Sequence, residues 1–405
     1  MTGHSLTCRD ADGITVDWMR RALRAGGVSD PSEVKEVVVE NLGAATNAFG
    51  SLLRCHLVAQ DGSPAVPRSV IVKFPTDSAL AMRFAKWLAI HQREYDFYRQ
   101  VAAHAPIRSP AFLYGEFDED SHRFVLVLED LRPMEATPQA VGVNAERARI
   151  AVRELANLHG MFWEAVDRPP VAGSYDCLSP RYGRRMQSAY LLCLPLVLER
   201  FSDHFSTGTG RLVEAFGTRI GAHFANVATG PVTFIHGDYR GENLLFDPGD
   251  AAKPAVVDWQ GCGFGSGLYD VAYFLGTSVS VDDRRRIERQ VVQEYHDIVC
   301  RHGAKSLSLD DCWRSYRQNM LSSVVPCILG CGGMEMADPR MLDLAKVGLH
   351  RILTAVEDLD AGEFLPTSMG SHFSRLSLCG YQAYKLVHRL RRNKNHPPVA
   401  PGARQ

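Results

Sequence analysis

The chain has 405 residues and is too long for a single ordinary hydrophobic core, so we expect two packed units or two lobes. Lys and Arg number 45 against 46 Asp and Glu, and this balance argues against a nucleic-acid-binding protein, which usually carries a basic excess. The first ten residues lack a basic stretch followed by an apolar run, and no apolar run approaches the length of a membrane span, so we expect a cytoplasmic protein.

The first third of the chain is rich in short strand patterns. Residues 15–26 first predict a short amphipathic helix that ends at two glycines. Five β-branched or aromatic segments, separated by Gly, Pro, Asp or Ser, then predict strands: 36–42, 51–59, 69–74, 111–117 and 123–129. Apolar residues at helical spacing predict one long helix over 82–103, between the third strand and the fourth.

Beyond Pro133 the pattern is mainly helical. Helical spacing recurs over 145–163 and in six later stretches: 183–204, 208–227, 282–301, 309–330, 336–361 and 370–391. Two short apolar runs, 232–235 and 255–257, predict buried strands. The basic, Pro-rich residues 392–405 have no apolar period, and they predict a disordered tail.

The segment 234–265 contains polar residues at intervals that are typical of a catalytic site. An apolar run leads into His236-Gly237-Asp238, Asn243 follows five residues after Asp238, and Asp258 ends a second apolar run fifteen residues later. Phosphoryl transfer requires a carboxylate that orients the attacking hydroxyl and oxygen ligands that hold Mg²⁺ against the phosphates. Taken singly, Asp and Asn are more often turn residues, and a lone His is more often structural. Their joint spacing on two strands nevertheless predicts a phosphotransferase site.

A phosphate-anchoring lysine and a carboxylate partner are expected upstream of this segment. Lys73 ends the strand pattern 69–74, and Glu94 lies on the helix that follows. A lysine at a strand end is as often exposed to solvent, and a helical glutamate is ordinarily solvated. Both assignments therefore depend on the catalytic segment.

Two further segments are candidates for nucleotide contacts. The loop 41–51 contains Thr46 and Asn47 among small residues, and such a turn can bring backbone N–H groups over phosphates. It matches neither GxxxxGK[ST] nor GxGxxG, so loop flexibility is the alternative interpretation. The strand pattern that contains Glu129 leads to Leu131, and at this junction a backbone edge could hydrogen-bond adenine.

Five motifs, HGDYRGEN, VVDWQ, SVIVK, REYDFY and VLEDL, together resemble those of the aminoglycoside phosphotransferase and choline kinase superfamily. More narrowly, the chain is similar to the ecdysteroid-kinase-like branch and its bacterial relatives. The resemblance implies an α+β, two-lobed protein-kinase-like fold. Residues 1–131 would form a nucleotide-binding lobe with an antiparallel sheet and one long helix. Residues 132–391 would form a mainly helical catalytic and acceptor-binding lobe.

The resemblance also implies cofactors and residue roles. ATP and Mg²⁺ are the implied cofactors, with Asp238 as the catalytic base and with Asn243 and Asp258 as the metal ligands. Lys73 would contact the α- and β-phosphates and pair with Glu94.

Other implied roles concern adenine and the acceptor type. The backbone near Glu129 and Leu131 would hold adenine, and Asp270 would be a structural carboxylate. Trp259 and Gln260 stand where a protein kinase has Phe and Gly, which argues against protein substrates.

The charge of residues 181–230 argues against a polycationic acceptor. Six arginines there outnumber three acidic residues, whereas an aminoglycoside would prefer an acidic trough. Apolar residues in this region and in 318–336 belong to a helix core or line an apolar pocket. We therefore expect a kinase for a hydroxyl of a partly hydrophobic small molecule, such as a steroid, a polyketide or a hydroxyacyl compound. Two alternatives stay open: an antibiotic-modifying kinase for aminoglycosides or macrolides, and a non-catalytic nucleotide-binding protein of the same fold.

Overall fold

The computed structural model describes residues 8–42, 50–59, 66–248, 253–333 and 339–368. The chain forms two compact units, one of residues 1–177 with 230–316 and another of 178–229 with the residues from 317 onward. The expected lobe boundary near residue 131 falls inside the first unit and stays a prediction. The helix expected at 370–391 and the tail at 392–405 lie outside the described residues. Among the described helices, none is both long and apolar enough to cross a membrane.

The first unit begins with α1 (Val16–Ala25) and a five-stranded antiparallel sheet. The strands are, in chain order, β1 (Val34–Asn41), β2 (Gly50–Ala59), β3 (Ser69–Pro75), β4 (Phe112–Phe117) and β5 (Phe124–Glu129). They lie in the spatial order β1-β2-β3-β5-β4. Buried aliphatic residues of β2, β3 and β5 share a core with Trp18, Met19 and Leu23 of α1. The predicted antiparallel sheet is confirmed.

The single helix expected over 82–103 is divided in the structure. α2 (Ala79–Leu88) ends where Ala89 adopts a left-handed conformation with φ of 56°, and α3 (Ile90–Asp96) follows at once. The next turn, Phe97–Val101, is a π-turn in which the Ala102 N–H donates to the Phe97 carbonyl. Alanine is the best helix former and apolar residues recur on both sides of Ala89, so no residue type marks this break. The one long helix is therefore corrected to two helices and a π-turn.

The remainder of the chain is mainly helical, as predicted. The helices are, in chain order, α4 (Ala145–Met161), α5 (Pro180–Arg200), α6 (Thr207–Gly217), α7 (Ile220–Val227), α8 (Gly267–Ser278), α9 (Val281–Arg301), α10 (Leu309–Ser322), α11 (Val324–Gly333) and α12 (Pro339–Asp358). The stretches expected at 208–227 and 309–330 are each divided into two helices.

Short strands in the first unit support the two turns that carry the predicted chemistry. They are β6 (Glu135–Ala136), β7 (Thr233–Ile235), β8 (Leu244–Phe246), β9 (Ala255–Val256) and β10 (Gly263–Gly265). β7 pairs with β10, and β8 lies between β6 and β9. The predicted strands at 232–235 and 255–257 are confirmed as β7 and β9, whereas β6, β8 and β10 were not predicted.

The second unit has an apolar core built from helices. α5 packs against α7 and α11. The apolar residues that were expected at 318–336 mostly belong to this core, since five of them are at most 2% exposed: Met320, Leu321, Val324, Val325 and Ile328. Met334 and Met336 lie outside the described residues.

Candidate active site

Lys73 lies within the sheet and is buried. It stands opposite Leu52 of β2 and Leu126 of β5, and its side chain is 6% exposed. Its Nζ donates hydrogen bonds to Glu94 Oε1 at 2.8 Å and to Asp258 Oδ1 at 2.6 Å. Burial lowers the pKa of this ammonium, but the two carboxylates outweigh burial and raise the pKa above its ordinary value. Lys73 is therefore a permanently charged, fixed cation and not the solvent-exposed lysine of the alternative interpretation.

Glu94 lies on α3 and is almost completely buried, with 1% exposure. Its Oε1 accepts the hydrogen bond from Lys73, and its Oε2 has no hydrogen-bond partner among the described residues. Burial raises the pKa of Glu94 to about 7, although the Lys73 ammonium opposes this shift. A buried carboxylate is costly unless it is paired, so the contact with Lys73 compensates for placing Glu94 here.

The turn after β7 carries Asp238 and is fixed by hydrogen bonds. The Asp270 carboxylate accepts from the N–H of His236 at 2.6 Å and from the N–H of Gly237 at 2.9 Å. The His236 ring contacts the Val257 carbonyl at 3.1 Å through Nε2, and its Nδ1 accepts from the Asp238 N–H at 3.2 Å. Burial lowers the pKa of His236, which favours the neutral ring that this pattern requires. His236 thus pins the turn and takes the structural role expected of it.

Asp238 and Asn243 contact each other within this turn. Asn243 Nδ2 donates to the Asp238 carbonyl at 2.9 Å and to Asp238 Oδ2 at 3.3 Å. The side chain of Asp238 remains 23% exposed. Burial raises the pKa of Asp238, and the Arg240 guanidinium opposes the shift. The turn therefore presents an accessible carboxylate beside an amide.

Asp258 follows β9 in a left-handed backbone conformation, with φ of 66° and ψ of 61°. A non-glycine residue in this region costs about 1–3 kcal/mol and persists only where surrounding contacts enforce it. Asp258 Oδ1 accepts from Lys73, and Oδ2 accepts from Gln260 Nε2 at 3.1 Å. Burial alone would raise the pKa of Asp258, but the Lys73 ammonium reverses the shift and lowers it. Asp258 is therefore an ionised carboxylate held in a strained turn.

The turns of Asp238 and Asp258 touch through two glycines. Gly237 has a φ of 80°, and a Cβ at this position would lie 2.1 Å from the Gly261 carbonyl oxygen. A Cβ at Gly261 would in turn lie 3.0 Å from the Gly237 carbonyl carbon. The two backbones therefore approach as closely as glycine allows.

The expected nucleotide contacts outside these turns are only partly described. The Glu129 N–H already donates to the Ala111 carbonyl at 3.0 Å, and the Leu131 carbonyl accepts a 2.9 Å hydrogen bond from the following turn. An adenine contact of this backbone stays a prediction. Thr46 and Asn47 lie outside the described residues.

Three residues beside the site were missed in the sequence: Arg93, Phe97 and Arg240. Arg93 binds the backbone beyond Asp258, and Phe97 stacks on Trp259. Arg240 Nε lies 3.5 Å from Asp238 Oδ2. All three are inside the motifs REYDFY and HGDYRGEN, but no spacing rule marked them. An arginine in a helix or turn is ordinarily solvated, which is why Arg93 and Arg240 were passed over.

The site contains oxygen ligands that suit a hard cation. Among the described residues, no group of three or more His, Cys, Asp and Glu side chains could hold a metal by itself. Asn243 uses its amide nitrogen within the turn, and its amide oxygen and the Asp258 carboxylate are both candidate ligands. Mg²⁺ is commonly bound by one or two such groups together with substrate phosphates, so the residues present fit Mg²⁺ in a nucleotide complex.

Comparisons with known proteins give one family match and several solved structures of similar fold. The sequence profile of the ecdysteroid kinase-like family matches residues 45–306. Among solved structures, choline kinase from Cryptosporidium parvum Iowa II has a TM-score of 0.54 at 11% identity, covering 88% of this chain and 98% of that one. Choline kinase LicA from Streptococcus pneumoniae has a TM-score of 0.48 at 15% identity, covering 80% and 94%. Ethanolamine kinase from Plasmodium vivax has a TM-score of 0.47 at 12% identity, covering 85% and 89%. No curated protein sequence gives a significant match.

Two of these comparisons, the family profile and the Cryptosporidium structure, establish the family and the fold. The likeness to the Cryptosporidium enzyme confirms the expected α+β, protein-kinase-like fold, and at 11% identity it shows the fold alone. The family profile covers more than half of the chain and includes Lys73, Asp238 and Asp258. On this basis the chain belongs to the ecdysteroid kinase-like family.

Proposed function

We propose that the protein is an ATP- and Mg²⁺-dependent phosphotransferase that moves the γ-phosphoryl group onto a hydroxyl of a small molecule. The observation that carries the proposal is the contact of Lys73 Nζ with both Glu94 and Asp258, which are separated from Lys73 by 21 and 185 residues. The Asp238–Asn243 pair lies on the turn that packs against the Asp258 turn. Such buried charges are poor devices for stability alone, and they supply the parts that phosphoryl transfer requires.

Each polar side chain has a distinct role in this proposal. The partly exposed Asp238 carboxylate orients the acceptor hydroxyl and accepts its proton. Lys73 holds the α- and β-phosphates, and Glu94 fixes the Lys73 ammonium. Asn243 and Asp258 hold Mg²⁺, which when bound neutralises charge on the β- and γ-phosphates.

The nucleotide-binding part is proposed to lie in residues 1–131, and catalysis and acceptor binding in 132–391. We propose that the backbone at Glu129 and Leu131 holds adenine and that Thr46 and Asn47 contribute to nucleotide binding. Support for this division comes from Lys73 and Glu94 in the first part and from Asp238 in the second.

We propose a neutral or anionic, partly hydrophobic alcohol as the acceptor. The surplus of three positive charges over residues 181–230 supports this class, because it disfavours a polycation. The apolar residues between 320 and 328 give less support, since they are buried in the core of the second unit. Charge is therefore the main argument for the acceptor class.

The proposal is tested with purified protein, Mg²⁺ and ATP labelled on the γ-phosphate. The acceptors are a panel of steroids, polyketides and hydroxyacyl compounds, a panel of aminoglycosides, and a cell metabolite extract. We expect labelled product from lipophilic alcohols only when Mg²⁺ is present, and none from an Asp238→Asn control. Turnover confined to aminoglycosides would contradict the acceptor class. Nucleotide binding without transfer to any acceptor would favour a non-catalytic binding protein.

A further inference from the structure

We propose that Arg93 is a positioning residue that holds the Asp258 turn in its metal-binding conformation. The inference rests on the proposed phosphotransferase function and extends it to a residue that touches neither nucleotide nor acceptor in that scheme. Arg93 directly precedes Glu94 on α3, and only 7% of it is exposed.

The Arg93 guanidinium binds the backbone that follows Asp258. Its Nε donates to the Cys262 carbonyl at 2.7 Å, and its Nη2 donates to the Gly261 carbonyl. Nη2 also lies 3.2 Å from Cys177 Sγ, and the guanidinium carbon lies 4.6 Å from the centre of the Tyr175 ring. Hydrogen bonds from a charged donor to buried carbonyls are strong, so Arg93 fixes these carbonyls relative to α3.

The Asp258 turn needs such external support. The left-handed conformation of Asp258 is one that a non-glycine residue keeps only when its surroundings over-determine it. α3 and its π-turn provide these surroundings at three points. Glu94 acts on the Asp258 side chain through Lys73, and Phe97 stacks on Trp259 with ring centres 3.7 Å apart and planes 8° from parallel. Arg93 supplies the contacts at the end of the turn.

The same contact connects Arg93 with the turn of Asp238. The Gly261 carbonyl that accepts from Arg93 is the group that packs against Gly237, where a Cβ would lie 2.1 Å from its oxygen. A displacement of this carbonyl therefore moves the backbone next to Asp238 as well as the backbone next to Asp258. Removing Arg93 should disturb the metal ligand and the base together.

If Arg93 only stabilised the fold, its removal would have a different effect. Loss of a buried core residue lowers the free energy of unfolding and reduces nucleotide binding to the same degree with and without metal. A positioning residue for Asp258 affects the metal-dependent step selectively, since outer residues that orient metal ligands typically contribute about 10–100-fold in metal affinity or activity.

The experiment compares Arg93→Met, Arg93→Lys and the wild-type protein, with Arg99→Met as the matched control. Arg99 is an exposed arginine on the π-turn directly after α3. Binding of a non-hydrolysable ATP analogue is measured by calorimetry with EDTA and over a Mg²⁺ series, and kcat is measured over the same series. Thermal unfolding establishes that each variant is folded.

For Arg93→Met we expect the Mg²⁺ concentration that gives half-maximal analogue binding to rise by at least about 10-fold. We expect kcat to fall by about 10–100-fold. Analogue binding in EDTA should stay at the wild-type value. Arg93→Lys should recover part of the loss because an ammonium can still donate to these carbonyls, and Arg99→Met should match the wild type.

Two results would overturn the inference: folded Arg93→Met with a wild-type Mg²⁺ dependence, or equal losses of binding with and without metal. If Arg93→Met does not fold, Arg93→Lys decides, and a wild-type Mg²⁺ dependence in that variant would be equally contrary. A wild-type protein that shows no Mg²⁺-dependent nucleotide binding instead contradicts the proposed function, and the inference falls with it.

Discussion

The turns around Asp238 and Asp258 and the helices of the second unit use buried groups in different ways. Beside these turns Lys73 and Glu94 form a buried ion pair, and the turns themselves contain left-handed backbones at Gly237 and Asp258. The core of the second unit is mainly apolar, although it includes the buried contact of His223 with Ser322 at 2.8 Å. Packing alone does not favour buried charges or strained turns, whereas an apolar core accepts different apolar residues of similar volume at little cost. The residues of the two turns therefore indicate the kind of reaction, whereas the apolar core of the second unit says little about the acceptor.

Among the substitutions that test this contrast, Asp238→Ala should have the largest effect, and the effect is on turnover. We expect turnover to fall by about 10²–10⁴-fold, because the acceptor hydroxyl loses its base. ATP binding should remain close to the wild-type value, whereas Asp258→Ala should also weaken Mg·ATP binding. Steady-state kinetics and calorimetry on the two variants separate these effects. Turnover that survives in Asp238→Ala would assign the base to another residue.

Gly237→Ala tests whether the close approach of the two turns matters for activity. Gly173 is the matched control, since its φ of 81° equals that of Gly237 within one degree but a Cβ there meets no atom within 4 Å. Both variants should lose roughly 1–2 kcal/mol of unfolding free energy from the left-handed backbone. Gly237→Ala should lose more than Gly173→Ala, because its added methyl also meets the Gly261 carbonyl. Gly237→Ala alone should also reduce kcat, on the order of 10²-fold, because the added methyl displaces the Asp238 turn from Gly261. Equal kcat values in the two variants would show that the contact is dispensable.

The sequence predicted the strands of the five-stranded sheet and also the spaced polar residues of the candidate site. Asp238, Asn243 and Asp258 are separated by fixed intervals on two apolar runs, and the structure brings Asp258 to Lys73. The helix break at Ala89 could not be predicted, because no glycine or proline marks it. Arg93 could not be predicted either, since its burial depends on carbonyls 168 and 169 residues away in the chain.

His223 offers a test of the second unit through pH. Burial lowers the pKa of His223 to about 4, below the ordinary value of about 6.5. The unfolded chain therefore takes up a proton between these values while the folded chain does not, so stability is present above pH 6.5 and decreases as the pH falls toward 4. The loss amounts to about 3 kcal/mol.

This effect is measured by denaturant unfolding of the wild type and of His223→Leu between pH 7 and pH 4.5. The leucine variant should show a shallower decrease of unfolding free energy with falling pH, whatever its stability at pH 7. Parallel curves for the two proteins would mean that His223 is solvated or paired when it is charged.

Leu192→Ser should have the smallest effect. Leu192 lies on α5 with 76% of its surface exposed, whereas Leu194, two residues later, is fully buried. An exposed leucine has little apolar area to lose, so Leu192→Ser should change the unfolding free energy by less than about 0.5 kcal/mol. Leu194→Ala, the buried counterpart, should cost about 2–5 kcal/mol because it leaves a cavity. Denaturant unfolding compares the two variants directly. If Leu192→Ser lost nearly as much unfolding free energy as Leu194→Ala, the face of α5 that carries Leu192 would be covered in solution. The apolar contacts of the second unit would then extend beyond its core.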